Sequence, residues 1–215
     1  MPEIRLYSIG HSNHSLDHFM HLLDRARVTA VADVRSQPFS QWLPHFNRPE
    51  LERELRLRGV GYAFAGHQLG GRPAQVNVYN GEGQVDYERV RATAEFQEGL
   101  DALCAAGEQD TVAMLCSEED PLNCHRGLMI APALVERGIL PAHVRGDGTI
   151  ESTVEFEERL LRETGVGTGI LDGLFASMLS GSERSELLAE AYRVQARRRA
   201  FRLRPELARG AESGD

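Results

Sequence analysis

The run Thr111–Cys116, TVAMLC, constrains the fold more than any other segment. A strand that is apolar at both parities needs cover on both faces, which a sheet sandwiched between helices supplies. AVADV at 30–34 reads the same way, as a short buried parallel strand. RLYSI at 5–9 reads as a strand ended by Gly10, GYAFAG at 61–66 as a third, and AHVRG at 142–146 as a fifth, weaker one. Helical patterns separate them. One starts at Ser15 and carries Leu16, Phe19, Met20, Leu22 and Leu23 at helical spacing. Others are expected over 49–58, from Asp86 to about Ala106, and from Pro121, capped by Asp120, to about Arg137. Strands alternating with helices predict right-handed crossovers and a mostly parallel sheet with helices on both faces. From about 151 the pattern turns helical only, with a Gly-rich connection at Gly165, Gly167, Gly169 and Gly173, a long helix over 182–203, and a frayed tail after Pro205.

Composition narrows the chemistry. The 215 residues suit one domain plus an appendage, and 41% hydrophobic residues are enough for a core. All 24 basic residues are arginine, so Schiff-base catalysis by lysine and a lysine-bearing phosphate loop are both excluded. A net charge of −8 argues against general nucleic-acid binding but not against a local basic patch. With no leader pattern and no run of about 18 apolar residues, the expectation is a cytoplasmic protein away from the membrane. Cys104, Cys116 and Cys124 are then expected to be thiols.

In a parallel sheet every strand opens at the same edge, and ligands bind there. Following each expected strand end gathers His11 and Ser12 after the first, Asp33 and Arg35 after the second, and His67, Gly70, Gly71 and Arg72 after the third. After the fourth come Cys116, Glu118, Cys124, His125 and Arg126. A helix starting at Pro121 would put Cys124 and His125 near its first turn, where free N–H groups favour a thiolate or a bound anion. Arg126 would add a two-pronged donor. The ten-residue step from Cys116 to Arg126 does not fit a phosphatase-type Cys-x5-Arg loop.

A metal set of Cys116, Cys124, His125 and either His11 or His67 is a second reading, although the spacing matches no zinc signature. Asp33 and Arg35 share a strand face, so they either pair or point into the site. Gly70-Gly71 either brings backbone to an anion or makes a simple turn. His14, His18 and His21 share a helix face, and solvation explains them more simply than a metal. Trp42–Phe46 reads as a lid or a packed loop. The cluster Arg193, Arg197, Arg198, Arg199, Arg202 and Arg204 reads as a solvated helix, a homo-oligomer contact or a nucleic-acid contact.

Taken in order, Ser8-Ile9-Gly10-His11-Ser12, Asp33-Val34-Arg35-Ser36, Leu69-Gly70-Gly71, Leu115-Cys116-Ser117-Glu118, Cys124-His125-Arg126 and His143 resemble the motifs of the bacterial and archaeal family known as domain of unknown function 488. The resemblance implies a Rossmann-like α/β domain and marks these positions without assigning a reaction, cofactor or substrate. The full expectation is an α/β chain. Residues 1–150 form a Rossmann-like three-layer domain with a mostly parallel five-stranded sheet, and residues 151–215 form a helical C-terminal extension.

The functional expectation is an enzyme acting on a small anionic substrate, such as a nucleotide or a phosphorylated or carboxylated metabolite. Cys116 or Cys124 serves as nucleophile, and His125 or His11 as acid or base, with Glu118 and Asp33 orienting. Arg35 and Arg126 clamp the anion, with Ser12, Gly70 and Gly71 at its edge. The alternatives are a non-catalytic ligand- or nucleic-acid-binding module and a metal-stabilised domain.

Overall fold

A computed structural model describes residues 5–168 and 180–203. Arg204, Gly169, Gly173 and the expected tail lie outside the described residues. The sheet has six strands in the order β3-β2-β4-β1-β5-β6. These are β1 (Arg5–Gly10), β2 (Ala30–Asp33), β3 (Gly61–Phe64), β4 (Thr111–Cys116), β5 (Ala142–Val144) and β6 (Ile150–Glu151). The first five run parallel, and β6 pairs antiparallel with β5. The sheet is therefore mixed, and the five-strand expectation is corrected to six; β6 is two residues long, too short to leave a period-two signature. The order also departs from the 3-2-1-4-5-6 arrangement of the Rossmann fold, because β4 inserts between β2 and β1.

Helices cover both faces, and residue parity along β4 shows why. Val112, Met114 and Cys116 point to one core, Ala113 and Leu115 to the other. The second core receives Phe19, Met20, Leu22 and Leu23 of α1 (Leu16–Arg25) and Leu51 and Leu55 of α2 (Arg48–Leu57). Each large apolar side chain so buried contributes roughly 1.5–3 kcal/mol. Ser15 starts α1 as expected, its side chain accepting from His18 N–H.

The opposite face is built from more pieces. After α3 (Gly66–Leu69), the helix expected from Asp86 divides into α4 (Tyr87–Arg91) and α5 (Ala94–Gln109), because Thr93 caps a new helix by accepting from Phe96 N–H. The helix expected from Pro121 is likewise not continuous. Asp120 caps only a short 3-10 turn, Pro121–Asn123, and Cys124 is extended. A π-helical turn, Arg126–Ile130, then leads into α6 (Ala131–Glu136). Pro132 gives a reason for the irregularity: it has no N–H to donate to the carbonyl four residues back. Gly127 packs against the carbonyl of Pro121, leaving no space for a side chain.

Residues beyond 150 join this same core. α7 (Thr153–Thr164) adds Phe156, Leu160 and Leu161, and α8 (Gly181–Arg199) adds Ala191. No helix among the described residues is long and apolar enough to cross a membrane.

Candidate functional site

Adjacent strands β2, β4 and β1 end side by side, Gly10 in register with Cys116. Gly10 is required there, since a Cβ would lie 1.8 Å from the carbonyl oxygen of Glu118. Two backbone bonds then knit the loops after β1 and β4 together, His11 N–H to Cys116 O and Ser12 N–H to Ser117 O. Ser12 adopts a left-handed φ of 47° to make this turn. Above these strand ends opens a cavity of about 480 Å³ lined by residues from every expected loop, among them His11, Ser12, Arg35, Gly71, Cys116, Glu118, Cys124 and His125.

His125 is the hub. Its Nε2–H donates to the Val34 carbonyl at 3.0 Å, so in the neutral ring Nδ1 is a bare acceptor. Nδ1 faces two buried thiols, the sulfurs of Cys116 and Cys124, each at 3.6 Å. Cys116 also donates to the Glu118 carboxylate at 3.0 Å. Burial, reinforced by Cys124 and Glu118, pushes the Cys116 thiol well above its ordinary range. Burial opposes ionisation of Cys124 too, but the adjoining Cys116 thiol and the charges of Arg126 and His125 outweigh it and hold that thiol well below its ordinary range. His125 is correspondingly raised: burial works against its cation, and facing Cys124 overcomes it.

Arg126 corrects an expectation. It is fully buried and does not line the cavity, so it is no anion clamp. Its guanidinium donates to Ser8 Oγ and to the carbonyls of Glu118 and Glu119. Among the described residues no carboxylate lies within ion-pair distance of it, and the Cys124 and Cys116 sulfurs are the leading anionic influences on it. A buried cation without a carboxylate favours a neighbouring thiolate.

Asp33 and Arg35 resolve toward pairing. Asp33 is wholly buried, accepts from Arg35 Nε and NH2 and from Tyr62 O–H, and stays out of the cavity. Arg35 does reach the cavity wall, with NH1 donating to Phe46 O. His11 stacks on Phe46 with 4.4 Å between ring centroids and donates from Nδ1 to Ser12 O, leaving Nε2 as an acceptor. Burial and the Arg35 charge lower its pKa to about 4, so it is neutral near pH 7. Gly71 lies directly against the His125 ring, whereas Gly70 packs on Gly66 and Ser36 outside the cavity lining.

The metal quartet is only partly assembled. The donor atoms of Cys116, Cys124 and His125 all lie within 4.8 Å of one another, but neither His11 nor His67 joins them. His14, His18 and His21 form no such group among the described residues. In the expected lid, Leu43 lines the cavity while Trp42 is 90% exposed.

Sequence reasoning missed that the end of α8 belongs to this site. Arg199 and Phe201 line the cavity, and Arg72 lies over the Phe201 ring at 4.8 Å. The four other described arginines of that cluster disperse: Arg193 pairs with Glu88 and Glu190, Arg202 with Glu82, Arg198 donates to the Glu163 carbonyl, and Arg197 is exposed outside the cavity lining.

A family model described as Domain of unknown function DUF488 matches residues 15–131. The chain belongs to the DUF488 family. No curated protein and no solved structure matches it. The DUF488 segment contains Asp33, Arg35, Gly71, Cys116, Glu118, Cys124, His125 and Arg126. His11 and Ser12 precede it, and Arg199 and Phe201 lie well beyond it.

Proposed function

We propose that this protein is an enzyme acting on a small anionic substrate in the cavity at the sheet's C-terminal rim, with Cys124 as the nucleophilic thiolate. One observation carries the reading: a single imidazole nitrogen, oriented by the Val34 carbonyl, faces both buried sulfurs at 3.6 Å. That is the nucleophile–base–orienter arrangement expected of covalent catalysis. Arg126 supplies a fixed positive charge behind the thiolate. Arg35, Arg72 and Arg199 line the cavity and supply the attraction for an anion. Ser12 and the Gly71 backbone border the substrate. His11, neutral with a free Nε2, is the second proton acceptor in reach of the cavity. A reducing, cytoplasmic setting suits this chemistry because it keeps both thiols free.

Alkylation rates of Cys124→Ser and Cys116→Ser proteins, measured against pH, test the proposal. Cys124 should react as a thiolate at a pH below the ordinary thiol range, and Cys116 only above it. Slow, ordinary thiols at both positions would end the nucleophile reading.

A second reading has its own support. In a tetrahedral site with metal–sulfur bonds of about 2.3 Å and metal–nitrogen bonds of about 2.0 Å, sulfur and nitrogen sit roughly 3.6 Å apart. Both S–N separations here have that value. The His125–Val34 bond is also the outer-shell contact that metal-bound histidines make. Cys116, Cys124 and His125 would hold the ion, with the remaining position open to the cavity. Elemental analysis of the purified protein decides: a stoichiometric soft metal supports this reading, and its absence removes it.

A further inference from the structure

Two thiols in one site, each with its own proton acceptor, are more than a single nucleophile needs. Cys124 is served by His125 Nδ1, whereas Cys116 donates its proton to the Glu118 carboxylate at 3.0 Å. The two sulfurs lie within 4.8 Å of one another, and both belong to the cavity wall. They come from different structural units, the last residue of β4 and the extended residue ahead of the π-helical turn. Forming a bond of about 2.05 Å between them requires the sulfurs to approach each other. Cys104, the third thiol, sits apart beside Arg137.

We infer that Cys116 is a resolving cysteine and that the anionic substrate class includes small disulfides. The inference rests on Cys124 being the nucleophile. The Cys124 thiolate attacks one sulfur of an RS–SR substrate; the S–S bond breaks, a mixed disulfide forms on Cys124, and RS⁻ departs. Cys116 then gives its proton to Glu118 and attacks the Cys124 sulfur. The mixed disulfide breaks, a Cys116–Cys124 disulfide forms, and the second RS⁻ leaves with the proton that Glu118 took. The substrate is reduced by two electrons to two thiols, and the protein dithiol is oxidised by two. A dithiol reductant returns the protein to its starting state by the same exchange run in reverse. The cavity arginines, Arg35, Arg72 and Arg199, select disulfides that carry carboxylates.

The test uses the full chain carrying Cys104→Ala, treated with 5,5′-dithiobis(2-nitrobenzoate), an aromatic disulfide bearing carboxylates, in the presence of a chelator. The expected result is release of two aryl thiolates per chain and a product mass with no adduct and two hydrogens lost. Adding Cys116→Ser, or Cys116→Ala if the serine variant folds poorly, should stop the reaction at one release with one aryl group retained on Cys124. Glu118→Gln should slow the second release roughly tenfold or more. If the chain with Cys116 intact keeps an aryl group on Cys124, Cys116 does not resolve and the inference fails while the nucleophile reading stands. If neither sulfur reacts, both fail together.

Discussion

The Arg126 guanidinium donates to the main-chain oxygen of Glu118 at 2.6 Å, although Arg126 is fully buried. It spans to the Glu119 carbonyl as well, so one side chain fixes the loop that brings Glu118 to Cys116. Methionine at 126 would leave those carbonyls and Ser8 without their donor inside the protein. Arg126→Met is therefore expected to destabilise the fold by roughly 2–4 kcal/mol and to slow alkylation of Cys124. Urea denaturation measures the first and a thiol-reaction rate the second. An unchanged unfolding midpoint would show that the loop is held by other means.

Gly71 offers a test that leaves the charges alone. A Cβ there would fall 2.8–3.1 Å from three atoms of His125, two of them in its ring. Gly71→Ala should push the imidazole off its alignment with the two sulfurs and cut Cys124 reactivity by about tenfold, about 1.4 kcal/mol of barrier. Gly81→Ala, with nothing within 4 Å of its Cβ, is the matched control. Equal reactivity in both variants would mean that the ring position does not matter.

Much of this was legible in the sequence, and the reasons differ by residue. TVAMLC was readable because burial on both faces erases alternation, and the sheet edge then predicted where Cys116, His11 and Arg35 would meet. The Asp33–Arg35 pair followed from period two, although period alone left open whether the two would pair or face a ligand. Arg126 was misjudged because its neighbours are main-chain carbonyls of a loop whose path no side-chain pattern encodes. Arg199 and Phe201 were hidden for a similar reason. Their position depends on the last described residues docking beside Gly83 and Val85, through Val85 N–H to Phe201 O and Leu203 N–H to Gly83 O. Backbone pairing at a sequence distance of over a hundred residues leaves no local signal.

His143 makes stability depend on pH. Its Nδ1 is hydrogen-bonded to Ser8 Oγ at 2.7 Å, and the same oxygen accepts from Arg126 Nε–H. Its Nε2 is buried without a partner, and the Phe156 ring lies 4.5 Å away. Burial first, and then the Arg126 charge, lower its pKa from 6.5 to about 3. Between these values the unfolded chain binds a proton that the folded chain does not, so stability is full above about pH 6.5 and declines as pH falls toward 3. The full span is worth on the order of 5 kcal/mol; His11, lowered to about 4, acts in the same direction. His143→Asn keeps an acceptor for Ser8 and removes the titration. Unfolding free energies measured from pH 7.5 to 4.5 should fall less steeply in the variant, and identical slopes would assign the acid sensitivity elsewhere.

The end of α8 is where anion affinity is expected to respond. Arg199 is exposed at the helix terminus, lines the cavity, and forms no ion pair among the described residues. Arg35 is largely committed to Asp33, and Arg72 lies over Phe201. A cation without a protein partner has the most to gain from a ligand, whereas Arg198, held by the Glu163 carbonyl, has less. Arg199→Ala should therefore weaken binding of inorganic phosphate or citrate by about three- to tenfold, up to about 1.4 kcal/mol. Arg198→Ala, which removes the same charge one residue away and outside the cavity lining, should leave binding near the parent value. Protection of Cys124 from a neutral alkylating agent by increasing anion concentration measures both. Equal losses in the two variants would reduce the effect to general electrostatics. A loss confined to Arg199 would assign the anion contact to the C-terminal helix, outside the segment that marks the family.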